Sequence, residues 1–243
     1  MNTAILNRNI RRIHLWFGIG IGLQLGLWLI SGLFMTIVPI DNVRGTHLRS
    51  QTVQDLLDRP AGLVAPQDVL YKLEQEASTL TLKIINATPV YLVQSDEQVF
   101  AFDAMTGESR DPLSEEDARS IASQRYAGEG SISAATFYLG TAPKEYGREG
   151  PVWRIDFDHP DRASFYIDAI SGDLKAIRTG LWRTFDFMWG LHIMDWSNRE
   201  NFNSWWIRAT AIFTLFFFLT GLGLVALRIK SMASRRRALK KSL

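Results

Sequence analysis

Histidine is the residue type in this 243-residue chain best suited to ligate a metal, and His14 stands in a distinctive setting. It is the one ionisable side chain of an apolar run, 13–40. Gly18 and Gly22 follow it at intervals of four residues, so in a helix the three share one slowly rotating face. A glycine face admits another helix or a flat cofactor. The spacing indicates a haem at Gly18 and Gly22, with His14 as an axial ligand of its iron.

A second interpretation of His14 remains open. A polar residue at the end of a membrane helix can serve only as an anchor at the interface, and a glycine stripe can serve only as a helix–helix contact. The ligand role is favoured because ionisable groups at membrane depth are uncommon and tend to be functional.

Two apolar runs, 13–40 and 204–228, are long enough to cross a membrane, which takes about 20 residues. The first run is too long for the apolar core of a cleaved signal peptide. The flanking segments 1–12 and 229–243 are basic and free of acidic residues, whereas all 25 acidic residues lie between Asp41 and Glu200. The positive-inside rule then places both termini in the cytoplasm.

We therefore predict a bacterial inner-membrane protein whose central domain is periplasmic. The predicted partner is the lipid bilayer, because the basic tail is attracted to anionic lipid headgroups. No nucleic-acid partner is expected.

A second candidate ligand, His192, lies in the segment 181–203. Tryptophan and phenylalanine recur there at helical spacing, which is typical of an amphipathic helix at the outer membrane surface. His14 and His192 would then lie about 30 Å apart, so one iron cannot bind both. Two haems fit, with second ligands from another copy or, at the outer site, from His47. His159 is expected to be a solvated loop residue.

Between the two spans the pattern predicts two units, 41–110 and 111–180, each with one helix followed by antiparallel strands. The first unit begins with a connector, 41–65, and its helix runs from Pro66 to about 77. The helix of the second unit starts at a capping box at Ser114 and ends near 126. The predicted strands are 80–86, 90–94 and 99–103 in the first unit, and 131–139, 152–157 and 164–168 in the second, where 140–150 is a loop.

An internal repeat supports this tandem. The segment from Phe102 to Glu108 aligns with the segment from Ile167 to Asp173 at an offset of 65 residues. In both segments an aspartate ends a strand and a glycine follows four residues later, a combination that favours a tight turn. We expect the two units to share one fold and to pack together, because each alone has few strands to bury. The fold class is therefore α+β, with two transmembrane helices around the tandem.

The strand ending D-A-x-[ST]-G-[DE], its preceding helix and the flanking spans resemble the PepSY family. The motif Arg11-x-x-His14-x-Trp16-x-Gly18 is similar to the first helix of PepSY-associated transmembrane proteins. Leu191-His192 and Leu219-Thr220-Gly221 resemble the closing segment of that group, so the resemblance covers about 10–230. Larger members include haem-containing inner-membrane reductases of ferric siderophores, which have more spans. The resemblance thus implies haem b and, in part, siderophore reduction.

Other chemistries are excluded by the sequence. The absence of cysteine rules out disulfides, iron–sulfur ligation and thiolate ligation of haem. The chain has no nucleophile elbow, phosphate loop, H-E-x-x-H motif or dinucleotide fingerprint, so it cannot by itself draw electrons from a soluble carrier.

Two hypotheses remain. In the first, the chain is a haem b subunit that passes electrons across the membrane to a periplasmic acceptor such as an iron chelate. In the second, it is a non-catalytic, membrane-anchored binding or regulatory module that acts on an envelope partner such as a peptidase or a receptor. Both imply a homo-oligomer or a partner membrane or envelope protein.

Overall fold

The computed structural model describes residues 3–50, 62–73, 76–96 and 98–241. The backbone divides into two compact units, Met1–Val38 with Thr184–Leu243, and Pro39–Arg183. The first unit holds two long apolar helices and the second holds two antiparallel sheets. The predicted α+β fold class is therefore confirmed.

The two long helices are α1 (Thr3–Ile37) and α6 (Trp205–Lys241). Each contains a 30-residue segment apolar enough to cross a membrane. Large side chains such as Leu23, Leu29 and Phe216 are more than half exposed, an arrangement that is costly in water and favourable in lipid. The protein is therefore membrane-anchored. Helix α1 ends at Ile37, before the predicted 40, because Pro39 disfavours helical backbone at Val38.

Helix α5 (Gly180–Ile193) covers the first half of the predicted aromatic segment 181–203. It ends at Ile193 because Met194 adopts a left-handed conformation, with φ of 53°. Trp196 therefore lies outside the helix, although its spacing fits the aromatic stripe.

The connector between α1 and the first sheet is only partly described. It contains a short helix, α2 (Ile40–Val43), and a 3-10 turn at Thr46–Leu48. Its residues 51–61 lie outside the described residues. The next helix, α3 (Pro66–Leu70), is shorter than predicted, since Ala77 already belongs to a strand.

The sheets are two antiparallel meanders. The first has the order β1-β2-β3 and the second has the order β4-β5-β6-β7, with α4 (Glu115–Arg125) between them in the chain. Ser114 caps α4, and its hydroxyl accepts the Asp117 amide as the capping box predicts. The strands are Ala77–Ile85, Thr88–Ser95, Val99–Asp103, Ile132–Tyr138, Val152–Phe157, Ser164–Asp168 and Leu174–Arg178.

The seventh strand, β7, is absent from the prediction. Its sequence, Leu174-Lys175-Ala176-Ile177-Arg178, does not alternate cleanly between apolar and polar residues. The structure explains this irregularity, because the register between β6 and β7 shifts next to Ile167. A bulge of this kind breaks the two-residue period from which strands are recognised.

The internal repeat is present as an equivalent turn in each half. Asp103 Oδ1 accepts the amides of the residues two and three positions later, and Asp168 Oδ1 does the same. Gly107 and Gly172 close these turns with φ of 69° and 67°. A second correspondence has a different offset. Pro89 accepts the amide of Ala104 through its carbonyl, and Pro151 accepts that of Ala169. The offset falls to 62 residues because the β5–β6 hairpin is longer than the β2–β3 hairpin.

The two halves share one core, as expected. Val90 and Ala101 from one face of the first sheet join Ile121 of α4 and Ile155 and Phe165 of the second sheet in one buried cluster. Polar contacts also join the halves, since the Lys83 ammonium donates to Asp173 Oδ1 at 2.5 Å. Neither sheet buries this surface alone, so the tandem folds as one body.

Candidate functional site

His14 is held on the surface of α6. Its Nδ1 lies 2.9 Å from Thr220 Oγ1, and its ring stacks on Phe217 with centroids 4.2 Å apart. A Cβ atom at Gly221 would lie 3.2 Å from His14 Cε1. Because Gly221 has no side chain, the imidazole of His14 can lie directly against the backbone of α6.

His192, in the last turn of α5, meets α1 in the same manner. Its Nδ1 lies 3.1 Å from Ser31 Oγ, and a Cβ atom at Gly32 would lie 3.4 Å from His192 Cε1. Ser31 is fully buried, and the Trp28 ring lies 6.5 Å from the imidazole. Each histidine thus docks on a hydroxyl–glycine dipeptide of a facing helix.

Each hydroxyl also has a backbone acceptor, since Thr220 Oγ1 lies 2.8 Å from the Phe217 carbonyl and Ser31 Oγ lies 2.7 Å from the Leu27 carbonyl. In the tautomer in which the hydroxyl proton is donated to that carbonyl, the oxygen accepts from the histidine and Nδ1 carries the imidazole proton. Nε2 of each ring is then left with a lone pair, which is the form in which an imidazole ligates a metal.

The glycines of α1 divide into two kinds. A Cβ atom at Gly18 would lie 3.1 Å from the Phe217 ring, so Gly18 allows α1 and α6 to pack closely. At Gly22 no described atom lies within 4 Å of such a Cβ atom. Gly18 therefore serves the helix contact, whereas Gly22 leaves an uncovered surface beside it.

The two docked imidazoles are far apart. His14 and the Ser31 contact of His192 are separated by 17 residues of α1, which corresponds to about 25 Å along the helix. One iron cannot reach both, as the sequence implied. The described residues contain no group of three or more metal-ligating side chains. A haem at either site would have one imidazole of this chain as a ligand and would need a second ligand from elsewhere.

The other two histidines lie in the unit formed by Pro39–Arg183. His47 Nε2 is 3.4 Å from Asp161 Oδ2, and the side chain is 47% exposed. His159 is 16% exposed and meets the Tyr126 ring edge-on, so the expectation of a solvated loop residue was wrong. Its Nδ1 accepts the amide of Asp161, which ties it into the β5–β6 turn.

Comparison with known proteins bears on the second half of the tandem. Residues 112–177, from just before α4 to β7, match the family described as the peptidase propeptide and YPEB domain, PepSY. The chain contains a PepSY domain. The resemblance read from the strand-ending motif is thereby confirmed for these residues. No curated protein and no solved structure matches the chain.

The PepSY match ends before the segment that precedes α6, and this segment has an organising residue that the sequence reasoning missed. Asp195 is 8% exposed, and its two carboxylate oxygens accept five hydrogen bonds. Four come from the amides of residues 197, 198, 200 and 201, and one comes from the Ser197 hydroxyl. These bonds, led by that from the Asn201 amide, hold the pKa of Asp195 well below its ordinary value. Only an aspartate followed by turn-forming Ser197 and Asn198 hinted at this role.

We expect Asp195→Asn to speed amide hydrogen exchange at Asn198, Glu200 and Asn201 roughly fivefold or more, because an amide offers one acceptor oxygen in place of two. Since its pKa is depressed in the folded protein, Asp195 stabilises the loop above the ordinary aspartate range and loses this effect only as the pH falls through the lowered value. Protection in the wild type should therefore be unchanged from pH 7 to about pH 4. Glu200→Gln, at an exposed side chain of the same loop, is the matched control. Equal exchange in Asp195→Asn and the wild type would show that the carboxylate does not organise the loop.

Proposed function

We propose that the protein is an electron-transfer subunit of the bacterial inner membrane that holds haem b at His14 and His192. The observation that carries the proposal is the shared state of the two imidazoles. In each ring Nδ1 lies within hydrogen-bonding distance of a hydroxyl oxygen of a facing helix, and Nε2 has no hydrogen-bond partner among the described residues. A haem bound there would supply reversible one-electron chemistry.

The surrounding residues act on the histidines. Thr220 and Ser31 fix the orientation of each ring, and a hydrogen bond donated by Nδ1–H makes Nε2 a better donor to a metal. Phe217 supports one face of His14, and Gly221 and Gly32 keep backbone close beside the rings. Since this chain offers one imidazole per site, a second ligand must come from another copy of the chain or from a partner membrane protein. His47 of another copy is a candidate for that role at the outer site.

Electron flow to a periplasmic iron chelate is the remaining part of the proposal. His14 and the Ser31 contact of His192 are separated by 17 residues of α1, a distance that suits transfer over much of the bilayer. A siderophore-type acceptor is supported by the resemblance of the spans to siderophore reductases. The donor must be a separate protein or a membrane carrier.

His14→Ala and His192→Ala should each lower the haem-to-protein ratio of the purified protein by about half, because each removes the ligand of one of two sites. Thr220→Val should lower haem affinity about 10–100-fold, since the ring loses the bond that orients it. Pyridine haemochrome assays on protein extracted from membranes would measure the ratio. His159→Ala is the matched histidine control and should keep the wild-type ratio.

The glycine surface supplies a second pair of variants for the same assay. Gly22→Leu should reduce haem content if the cofactor lies along α1, whereas Gly20→Leu, equally open but on another side of the helix, should not. Normal haem in both His14→Ala and His192→Ala would reject the ligand roles. The chain would then be the membrane-anchored binding module of the second hypothesis.

The proposed topology has both termini in the cytoplasm and the PepSY domain in the periplasm, supported by the basic ends and the acidic middle. Alkaline phosphatase joined at Gly107 should therefore be active, because this enzyme needs the oxidising periplasm. A green fluorescent protein joined at the C-terminus should fluoresce, because it folds in the cytoplasm. A cytoplasmic position for Gly107 would overturn the topology and, with it, the direction of electron flow.

A further inference from the structure

A loop inside the PepSY domain covers one whole face of the second sheet. We call residues 140–150 the strap. It contains no helix or strand, yet Tyr146 is 4% exposed. Its ring stacks on Tyr166 of β6, with centroids 5.0 Å apart and planes inclined by 16°. The two tyrosines and Val152 form a buried cluster of their own, separate from the shared core.

The equivalent face of the first sheet packs into the shared core. By strand pairing, Val90 and Leu92 in β2 and Ala101 in β3 correspond to Val152, Arg154 and Tyr166 in the second sheet. In the first sheet these positions are apolar and pack into the core shared with the next repeat. No further repeat follows the second sheet in the described chain, and the strap covers the equivalent face instead.

A single carboxylate of the strap is bound in a preformed cradle. Arg183 grips Glu145 through two nitrogens, Nε at 2.7 Å from Oε2 and Nη2 at 3.0 Å from Oε1. The buried Tyr166 hydroxyl donates to Oε1 at 2.7 Å, and Arg154 Nη1 lies 3.8 Å away. Arg178 donates to the Glu145 carbonyl. Burial raises the pKa of Glu145, but the hydrogen bonds from Arg183 and Tyr166 outweigh it, so its pKa lies below the ordinary value.

The cradle does not depend on the strap for its geometry. Asp156 accepts from Arg154 Nε at 2.9 Å and from the Ser164 hydroxyl at 2.6 Å, and Arg183 Nη2 donates to Ser164 Oγ at 2.9 Å. Arg183 Nη1 also donates to the Arg162 carbonyl. Arg154 and Arg183 therefore have partners outside the strap, in the strands and in the β5–β6 turn.

The charges around Glu145 indicate which chemical group a segment that replaces it must carry. Among the described residues, the side chains of Arg154 and Arg183 share the carboxylates of Glu145 and Asp156. Without Glu145 the two half-buried guanidinium groups would keep only one of these two carboxylates, so an anion is favoured in its place. A planar carboxylate suits the two nitrogens of Arg183, and an aromatic ring suits the face of Tyr166 on which Tyr146 stacks.

The strap also has the means to move. It is bounded by Gly140 and Gly150, and a Cβ atom at either position would meet no described atom within 4 Å. Gly150 and the internal Gly147 adopt left-handed backbone, with φ of 107° and 68°. The flanking backbone is therefore open and rich in glycine, and Ala142, Glu145 and Tyr146 are among the strap residues that contact the sheet side.

We propose that the face under the strap is a docking site for an extended segment of a partner protein, in which a carboxylate side chain is followed directly by an aromatic one. Glu145-Tyr146 occupies this site in the chain itself and must be displaced by the partner segment. The proposal goes beyond electron transfer and holds whether or not the protein binds haem.

The test uses the full-length protein in detergent and a fluorescent peptide of about ten residues with Glu-Tyr at its centre among Gly, Ser and Ala. Glu145→Gln combined with Tyr146→Ala loosens the strap. This variant should bind the peptide at least about tenfold more tightly than the wild type, whose tethered strap competes at an effective concentration near millimolar. A peptide with Gln-Ala at its centre should not bind. Adding Arg183→Lys to the loosened variant should abolish binding, because lysine keeps the charge but loses the two-nitrogen grip.

A measurement on the wild type covers the case in which the loosened variant does not fold. The Glu-Tyr peptide at millimolar concentration should speed hydrogen exchange of the strap amides, whereas the Gln-Ala peptide should not. A folded loosened variant that binds neither peptide, or both equally, would overturn the proposal. Unchanged hydrogen exchange of the strap amides in the wild type at saturating peptide would also overturn the proposal. The strap would then be only a structural cap.

Discussion

A polar ring placed between membrane helices must have its hydrogen-bonding atoms satisfied within the protein, because lipid offers no partners. This constraint governs His14 and His192. In both, the hydroxyl of a serine or threonine on a facing helix lies within hydrogen-bonding distance of Nδ1 and also donates to a backbone carbonyl about one turn earlier. The second ring nitrogen is left as an acceptor. The same bonds that make the imidazoles tolerable in the membrane also prepare them to ligate a metal.

In the unit Pro39–Arg183, the second sheet has a face that no further repeat of the described chain covers. The first sheet buries both faces, one against α3 and the other in the shared core. The second sheet uses one face for that core, and its other face has no repeat to meet. The strap covers Tyr166 and Val152 on this face with Tyr146 and places the Glu145 carboxylate beside Arg154 and Arg183. A surface with these two arginines suits an anionic segment.

Much of this architecture could be predicted from local patterns. Apolar length and the distribution of charge gave both spans, and alternation gave six of the seven strands. The aspartate–glycine turns revealed the tandem. What local patterns could not supply are contacts between distant parts of the chain. Ser31 and His192 are 161 residues apart, and nothing near Ser31 marks it as a histidine partner. The 62-residue offset of Pro89 and Pro151 was hidden by a longer hairpin. Glu145 looked like one more charge in a loop because its arginines lie on other elements.

The central claim is that the helix pair presents metal-ready imidazoles and that haem occupies them. The most direct test is the absorption spectrum of the wild-type protein, purified in mild detergent from haem-replete cells and compared before and after reduction with dithionite. The account predicts a Soret band that shifts on reduction, together with the sharp α and β bands of a low-spin b-type haem. A colourless, folded protein from such cells would contradict it.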